Sequence, residues 1–323
     1  MKAIIQDRYG PADVLEFADI ESPVPGDDEV LVRVHAAGLD PGVWHLMTGL
    51  PYLMRAAGYG LRKPSTRIRG RDVAGTVEAV GRRVAKFHPG DLVFGICDGS
   101  FAEYVCVRQD KLALRPFNLT LTQAAAVPIS ALTALHALRD RGQVRPGQHV
   151  LIIGAAGGVG TFAVQLAKAY GAIVTGVCST TKMELVLSIG ADDVIDYLDE
   201  DFAAGRRDYE LILDTAGNRS LSQLRRVLTA RGTLVIIGGE ARGRLLGGMD
   251  RLLRALMLSP FVGQKLCVLV PGEHSEDLEV VRDFIEAGKV TPVIDRTYTL
   301  RQTPEAIHHA RQEHARGKVV ITM

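Results

Sequence analysis

Through the first 120 or so residues apolar and polar positions alternate in short runs. In Glu29-Val30-Leu31-Val32-Arg33-Val34-His35, the valines fall on one side and Leu31, Arg33 and His35 on the other. That period of two is the pattern of a half-buried strand. Residues 74–81 and 91–95 repeat it, with turns supplied by Gly26, Gly81, Pro89-Gly90 and Asp98-Gly99. From residue 123 the texture changes to strands at 150–153, 173–177, 194–196, 211–214 and 233–237, with helices at 161–170 and 182–189. Gly171 and Gly190 follow those helices directly, where a left-handed residue closes the last turn. Strands alternating with helices predict right-handed βαβ units on a parallel sheet. Near the end Ser275 is placed to cap a helix whose Leu278, Val281 and Ile285 keep helical spacing, Thr303-Pro304 opens another, and 318–322 forms a last strand. The expected organisation is an α/β domain at 123–273 inserted into a β-rich domain made of 1–122 plus 274–323.

A length of 323 residues fits two domains. The 38 Lys and Arg nearly cancel the 37 Asp and Glu, so no field favours nucleic acid or anionic membrane, and the sparse aromatics are not interleaved with basic clusters. Residues 118–138 and 149–167 lack formal charge, but Pro128 in the first and the glycines of the second mark buried segments rather than integral membrane spans. Charge arrives too early at the start, Lys2 then Asp7-Arg8, for the apolar core of a signal peptide. Cys97, Cys106, Cys178 and Cys267 stand far apart, which with no export signal predicts reduced thiols and a cytoplasmic setting.

The sharpest motif is Gly154-Ala155-Ala156-Gly157-Gly158-Val159-Gly160, set between a β-branched strand and a helix without charge as far as Ala167. A dinucleotide pyrophosphate needs close backbone approach and amide donors at a helix start, and glycines permit both. The spacing departs from plain G-x-G-x-x-G, so its place within βαβ units carries the reading. NAD sites usually put an acid at the end of the second strand; here stands Cys178-Ser179-Thr180-Thr181-Lys182. Two hydroxyls and a cation would accept the 2′-phosphate of NADPH, while Ser179 or Thr181 would also serve as a helix N-cap.

Several segments, taken in order, resemble the medium-chain dehydrogenase/reductase superfamily, in its zinc-free quinone oxidoreductase-like branch. They are Val34-His35-Ala36-Ala37-Gly38-Leu39-Asp40-Pro41, Gly70-Arg71-Asp72-Val73-Ala74-Gly75, Pro89-Gly90-Asp91-Leu92-Val93-Phe94-Gly95, Ala125-Ala126-Val127-Pro128, the glycine turn, Gly190-Ala191-Asp192-Asp193-Val194 and Gly317-Lys318-Val319-Val320. The nearest likeness is to the subgroup of chloroplast-envelope quinone oxidoreductase homologues. The resemblance implies an α/β fold: a Rossmann doubly wound parallel sheet inserted in a GroES-like β-rich catalytic domain, with catalysis in the cleft between them. It also implies that Thr133, Gly238, Gly239 and Lys318 approach the nicotinamide side of the cofactor. Ala156, Gly157, Gly158 and Val159 would bind the pyrophosphate, and Ser179, Lys182 and Tyr197 the adenosine 2′-phosphate. A homodimer through the Rossmann sheet edge is the family's habit.

Zinc-dependent members carry a catalytic Cys and a Gly-His-Glu, because zinc takes thiolate and imidazole in tetrahedral array. The matching places here hold Asp40 and Gly70-Arg71-Asp72, and the closely spaced cysteines of a structural zinc lobe are missing. No metal is therefore expected. His308-His309 with His314 reads as a solvated helix face, and no nucleophile context supports hydrolysis. Without zinc to polarise an alcohol, the expected reaction is hydride transfer from NADPH to an electrophilic small molecule, a quinone or α,β-unsaturated carbonyl. Arg71 is the candidate for charge stabilisation, or else an ion-pair partner of Asp40 or Asp72. Asp40 and Tyr52 are candidates for lining the acceptor site, and 51–60 is read as a lid or substrate loop. Related reductases usually carry Asn at the position of Asp40, so acceptor specificity does not transfer. The alternatives are an enoyl reductase or alcohol dehydrogenase of the same superfamily, and a non-catalytic NADPH-binding sensor or scaffold. Residues 251–261 read as a subunit-contact or cleft helix, with a partner or membrane-surface helix as the other reading.

Overall fold

Six strands of the α/β region pair in parallel, in an order that reverses at its middle. The computed structural model describes residues 1–204, 208–238, 247–269, 272–312 and 315–323. The chain folds into two compact units. Met1–Leu132, Glu273–Ala287 and Pro292–Met323 form one; Thr133–Gly272 with Gly288–Thr291 forms the other, inserted into the first along the chain. The boundary near residue 132 falls inside the helix Pro128–His136, later than the composition shift at 122 suggests.

In the inserted unit the sheet runs Asp193–Asp196, Ile173–Cys178, His149–Ile153, Tyr209–Asp214, Leu228–Ile236, Lys265–Val268. Every pairing is parallel. Numbered along the chain this is 3-2-1-4-5-6, the doubly wound Rossmann order, whose switch point lies between the first and fourth strands. Val150, Leu151 and Ile152 are wholly buried, as near-continuous apolar runs in a parallel sheet covered on both faces should be. The helix after the glycine turn, Gly158–Ala169, buries Gly160 through Ala167 without a break. That explains the absence of charge as far as Ala167, since a helix face buried all round belongs in a core. Gln165, buried within that stretch, is satisfied: it donates to the carbonyls of Thr161 and Thr291 and accepts from the Thr291 amide. Gly171 and Gly190 both take left-handed φ, +82° and +106°, as their places after helices predict.

In the other unit the strands run Ile294–Thr299, Lys318–Thr322, Glu29–Leu39, Asp72–Val80, Leu92–Ile96, Leu112–Leu114, with Tyr104–Arg108 also on Glu29–Leu39. This is the GroES-like β-rich domain, and it is antiparallel except for its C-terminal pair. The last strand enters it beside the third, with Val319 opposite Leu39 and Val320 opposite Gly38. Val30, Val32 and Val34 face a core with Val73, Val77, Phe87 and Val93, as their alternation predicts.

Several expectations need correction. Helix Ser275–Glu286 has His274 at its cap position, and Ser275 lies buried in its first turn. Ser179 holds the cap position of a short 3-10 turn, Thr180–Lys182, but without a side-chain capping bond; Thr181 lies inside that turn. His309 does not face solvent: its ring is buried and bonds Asp295 at 2.7 Å. His314 and Gly239 lie outside the described residues. Residues 52–59 are helical, Tyr52–Met54 followed by Arg55–Tyr59. Arg55 pins them, donating to the carbonyls of Gly49 and Thr48 and stacking on Tyr9 and Tyr52.

Candidate active site

Strand His149–Ile153 ends at the switch point of the inserted unit, and Gly154 turns the chain there at φ +81°. A Cβ on Gly154 would lie 2.5 Å from Thr215 Oγ1, and one on Gly160 only 2.1 Å from the Gly154 carbonyl oxygen. Only glycine fits either place, for conformation at the first and close packing at both. Gly157 holds the N-cap position of helix Gly158–Ala169, and a Cβ there would have nothing nearer than the Gly154 oxygen at 3.3 Å. The turn thus presents bare backbone beside Ala156, Gly157, Gly158 and Val159. First-turn amides have no acceptor within their own helix and point at whatever lies before it. These residues fit the pyrophosphate of a nicotinamide dinucleotide.

The neighbouring strand ends close this cradle. Thr215 donates its amide and hydroxyl to the Ile153 carbonyl, at 3.1 and 2.7 Å. Gly238 packs so tightly on the same turn that a Cβ would fall 2.1 Å from the Thr215 oxygen. On the other side, the Tyr197 amide donates to the Cys178 carbonyl at 3.1 Å, which sets the half-exposed Tyr197 beside the Ser179–Lys182 turn. Ser179, Lys182 and Tyr197 therefore do come together. So does an acid that the sequence did not mark: the buried Asp196 pairs in register with Cys178, and its Oδ1 accepts the Leu198 amide. Burial first, and then the Asp196 charge, push the Cys178 thiol up to about 11, with Lys182 opposing them. Thr133 is buried on helix Pro128–His136.

The β-rich unit holds a second constellation, of charges. Asp72 is fully buried; its Oδ1 accepts the Ile129 amide at 2.7 Å and its Oδ2 the Lys318 ammonium at 2.8 Å. Lys318, expected at the cofactor, is itself 2% exposed and ends on that carboxylate. Asp40 caps helix Pro41–Thr48 through the Gly42 amide at 2.7 Å, and its buried Oδ2 has no hydrogen-bond partner among the described residues. Burial and the nearby Asp72 charge raise its pKa, against the pull of Lys318 and Arg71. Asp40 is thereby biased to its neutral form, and in that form it resembles the Asn usual in related reductases more than its charge suggests.

Arg71 pairs with neither Asp40 nor Asp72, the partners the sequence suggested. Its guanidinium donates to Glu273 and lies 3.8 Å from Asp98, while Lys111 donates to the other Glu273 oxygen at 2.9 Å. Burial acts to raise the Glu273 pKa, but these two cations hold it below the usual carboxylate range. The arrangement brings Asp40, Arg71, Asp72 and Lys318 into one electrostatic cluster. Tyr52 instead stacks on Arg55. Glu273 and Lys111 were missed, having no local signal to find them by. Among the described residues no three His, Cys, Asp or Glu converge as a metal site would require, and no helix is long and apolar enough to cross a membrane.

Comparison with known proteins agrees with this architecture. The family described as alcohol dehydrogenase GroES-like domain matches residues 26–116, and that described as zinc-binding dehydrogenase matches 189–321. The bovine protein named NAD(P)H oxidoreductase RTN4IP1, mitochondrial, is 34% identical, over 100% of this chain and 89% of its own. A porcine quinone oxidoreductase is 31% identical, over 100% and 98%. The solved quinone oxidoreductase from Coxiella burnetii is 28% identical with a TM-score of 0.85, covering 100% of this chain and 99% of that one. The chain therefore belongs to the medium-chain dehydrogenase/reductase superfamily, in its quinone oxidoreductase-like branch, a group of nicotinamide-dependent oxidoreductases.

Proposed function

We propose that this chain is an NADPH-dependent oxidoreductase that reduces a quinone or an α,β-unsaturated carbonyl compound without zinc. The observation that carries the reading is the bare glycine cradle at the switch point of a 3-2-1-4-5-6 sheet. Ala156, Gly157, Gly158 and Val159 hold the pyrophosphate through backbone amides. Lys182, with Ser179 and Tyr197, binds the 2′-phosphate; no acid follows Cys178 directly to bind a free ribose 2′-hydroxyl. Thr133 and Gly238 border the nicotinamide, which when bound supplies the hydride.

The charge cluster of the β-rich unit handles the acceptor. Arg71, fixed by Glu273, keeps a buried Nε–H that lies 3.8 Å from Asp98 and makes no hydrogen bond among the described residues. It is positioned by that pair to favour negative charge developing on the acceptor oxygen. Asp40 and Tyr52 line the acceptor side. Zinc independence is supported by the donor set: Asp40 and Arg71 stand where zinc-dependent members carry Cys and His, and a guanidinium cannot ligate a cation. Four free cysteines fit a reducing compartment, which we take to be the cytoplasm. A homodimer would form along an outer strand of the six-stranded sheet, Asp193–Asp196 or Lys265–Val268. The test is NADPH oxidation against quinones, enones and alcohols, with metal analysis of the same sample. The expected result is turnover with a quinone or enone and no zinc. Alcohol turnover with one bound zinc per chain would replace the proposal, and cofactor binding without any turnover would favour a sensor or scaffold.

A further inference from the structure

Asp214 ends the fourth strand of the inserted unit at the switch point, wholly buried. Such a carboxylate must be compensated, and the compensation here is divided between two elements. Its Oδ1 accepts the Gly217 amide at 3.0 Å, closing the turn 214–217. Its Oδ2 accepts from Arg251, which stands in the first turn of helix Met249–Leu258 and is itself largely buried. The Arg251 Nε and Nη1 are buried and have no hydrogen-bond partner among the described residues, where the guanidinium donates to Asp214. The main chain of the same turn meets the cofactor cradle at both ends. Thr215 bonds the Ile153 carbonyl and leaves no room for a side chain at Gly154, while the Ile237 and Gly238 amides donate to the Asp214 carbonyl at 3.0 and 3.1 Å.

We infer that Arg251 is a positioning residue for the dinucleotide: through Asp214 it fixes the 214–217 turn, and so the spacing of the Gly154 and Gly238 backbones that the cofactor enters. The inference rests on the cofactor reading above. It separates two kinds of cofactor determinant. Lys182 would discriminate NADPH from NADH, whereas Arg251 shapes a cradle common to both and its loss weakens both alike. The pairing is geometrically demanding, because a shorter cation must reach the same carboxylate from the same helix.

The test is equilibrium binding of NADPH and of NADH, with thermal unfolding, for wild type, Arg251→Met, Arg251→Lys and the double variant Arg251→Met/Asp214→Asn. The single Met variant should bind both dinucleotides about tenfold to a hundredfold more weakly, with their ratio unchanged. Arg251→Lys should recover part of that loss. The double variant removes the stranded carboxylate, so its melting temperature should return toward wild type while the weak binding stays. That split distinguishes positioning from stability alone. Binding that recovers together with the melting temperature, or a Met variant that binds both cofactors as wild type does, would overturn the inference. A wild-type protein that takes up neither dinucleotide would overturn the cofactor reading itself, and the inference with it.

Discussion

Substituting Lys318 by Met isolates the buried pair at the centre of the charge cluster. Lys318 and Asp72 are 2% and 0% exposed and 2.8 Å apart, so solvent screens them little. The Met side chain fills most of the Lys stem's volume, which leaves the charge as the main loss. Asp72 would keep only the Ile129 amide, with Asp40 close by. Stranding one member of such a pair typically costs about 3–5 kcal/mol. At roughly 2–4 °C per kcal/mol for a unit of this size, the melting temperature should fall by about 6–20 °C. Adding Asp72→Asn should restore most of the stability, because the amide oxygen still accepts from Ile129 and no buried charge remains. Calorimetry of wild type, both single variants and the double variant under one set of conditions provides the cycle. Single variants within about 1 kcal/mol of wild type would refute the reasoning.

Other outcomes follow from the same geometry. Asp40 has a raised pKa, so its favourable term is complete below the unfolded value of about 3.9 and is lost as the pH rises through the folded one. Asp40→Asn should therefore gain stability relative to wild type as pH rises from 4 to 8, and a flat difference in urea unfolding would contradict this. Gly160→Ala would put a Cβ 2.1 Å from the Gly154 oxygen; dinucleotide titration should find binding lost in protein that still folds, and unimpaired binding would count against the cradle. Lys182→Ala should raise the Michaelis constant for NADPH roughly ten- to a hundredfold, the loss of a charge-assisted contact of about 1.5–3 kcal/mol, with little change for NADH. Equal changes for the two cofactors would remove Lys182 from the 2′-phosphate.

The elements carried by local pattern were readable in the chain, and those carried by distant partners were not. Val30, Val32 and Val34 announced a strand by alternation, and Gly171 and Gly190 announced helix ends because few other residues take positive φ. The glycine turn was legible for the same reason: its constraint is backbone geometry, which composition records. Boundaries slipped where propensity misleads. Helix Gly158–Ala169 begins on three residues, Gly158, Val159 and Gly160, that a propensity argument leaves outside it, and strand Leu228–Ile236 runs through Arg231-Gly232. Strand Lys265–Val268 escaped notice because four residues at a sheet edge carry little periodicity. The charge partners left no local trace at all. Arg71 and Glu273 are 202 positions apart, and Lys318 and Asp72 are 246. Nothing near Arg71 in sequence singles out Glu273 over Asp40 or Asp72, and only the fold decides it.

The central claim is that the turn at 154–160 holds a nicotinamide dinucleotide and that its surroundings prefer the 2′-phosphorylated form. Equilibrium titration of the purified wild-type chain with NADPH and with NADH, at fixed salt, measures this directly. Saturable binding of both, with NADPH the tighter by about tenfold or more, is the predicted result. No uptake of either cofactor, or a clear preference for NADH, would contradict it.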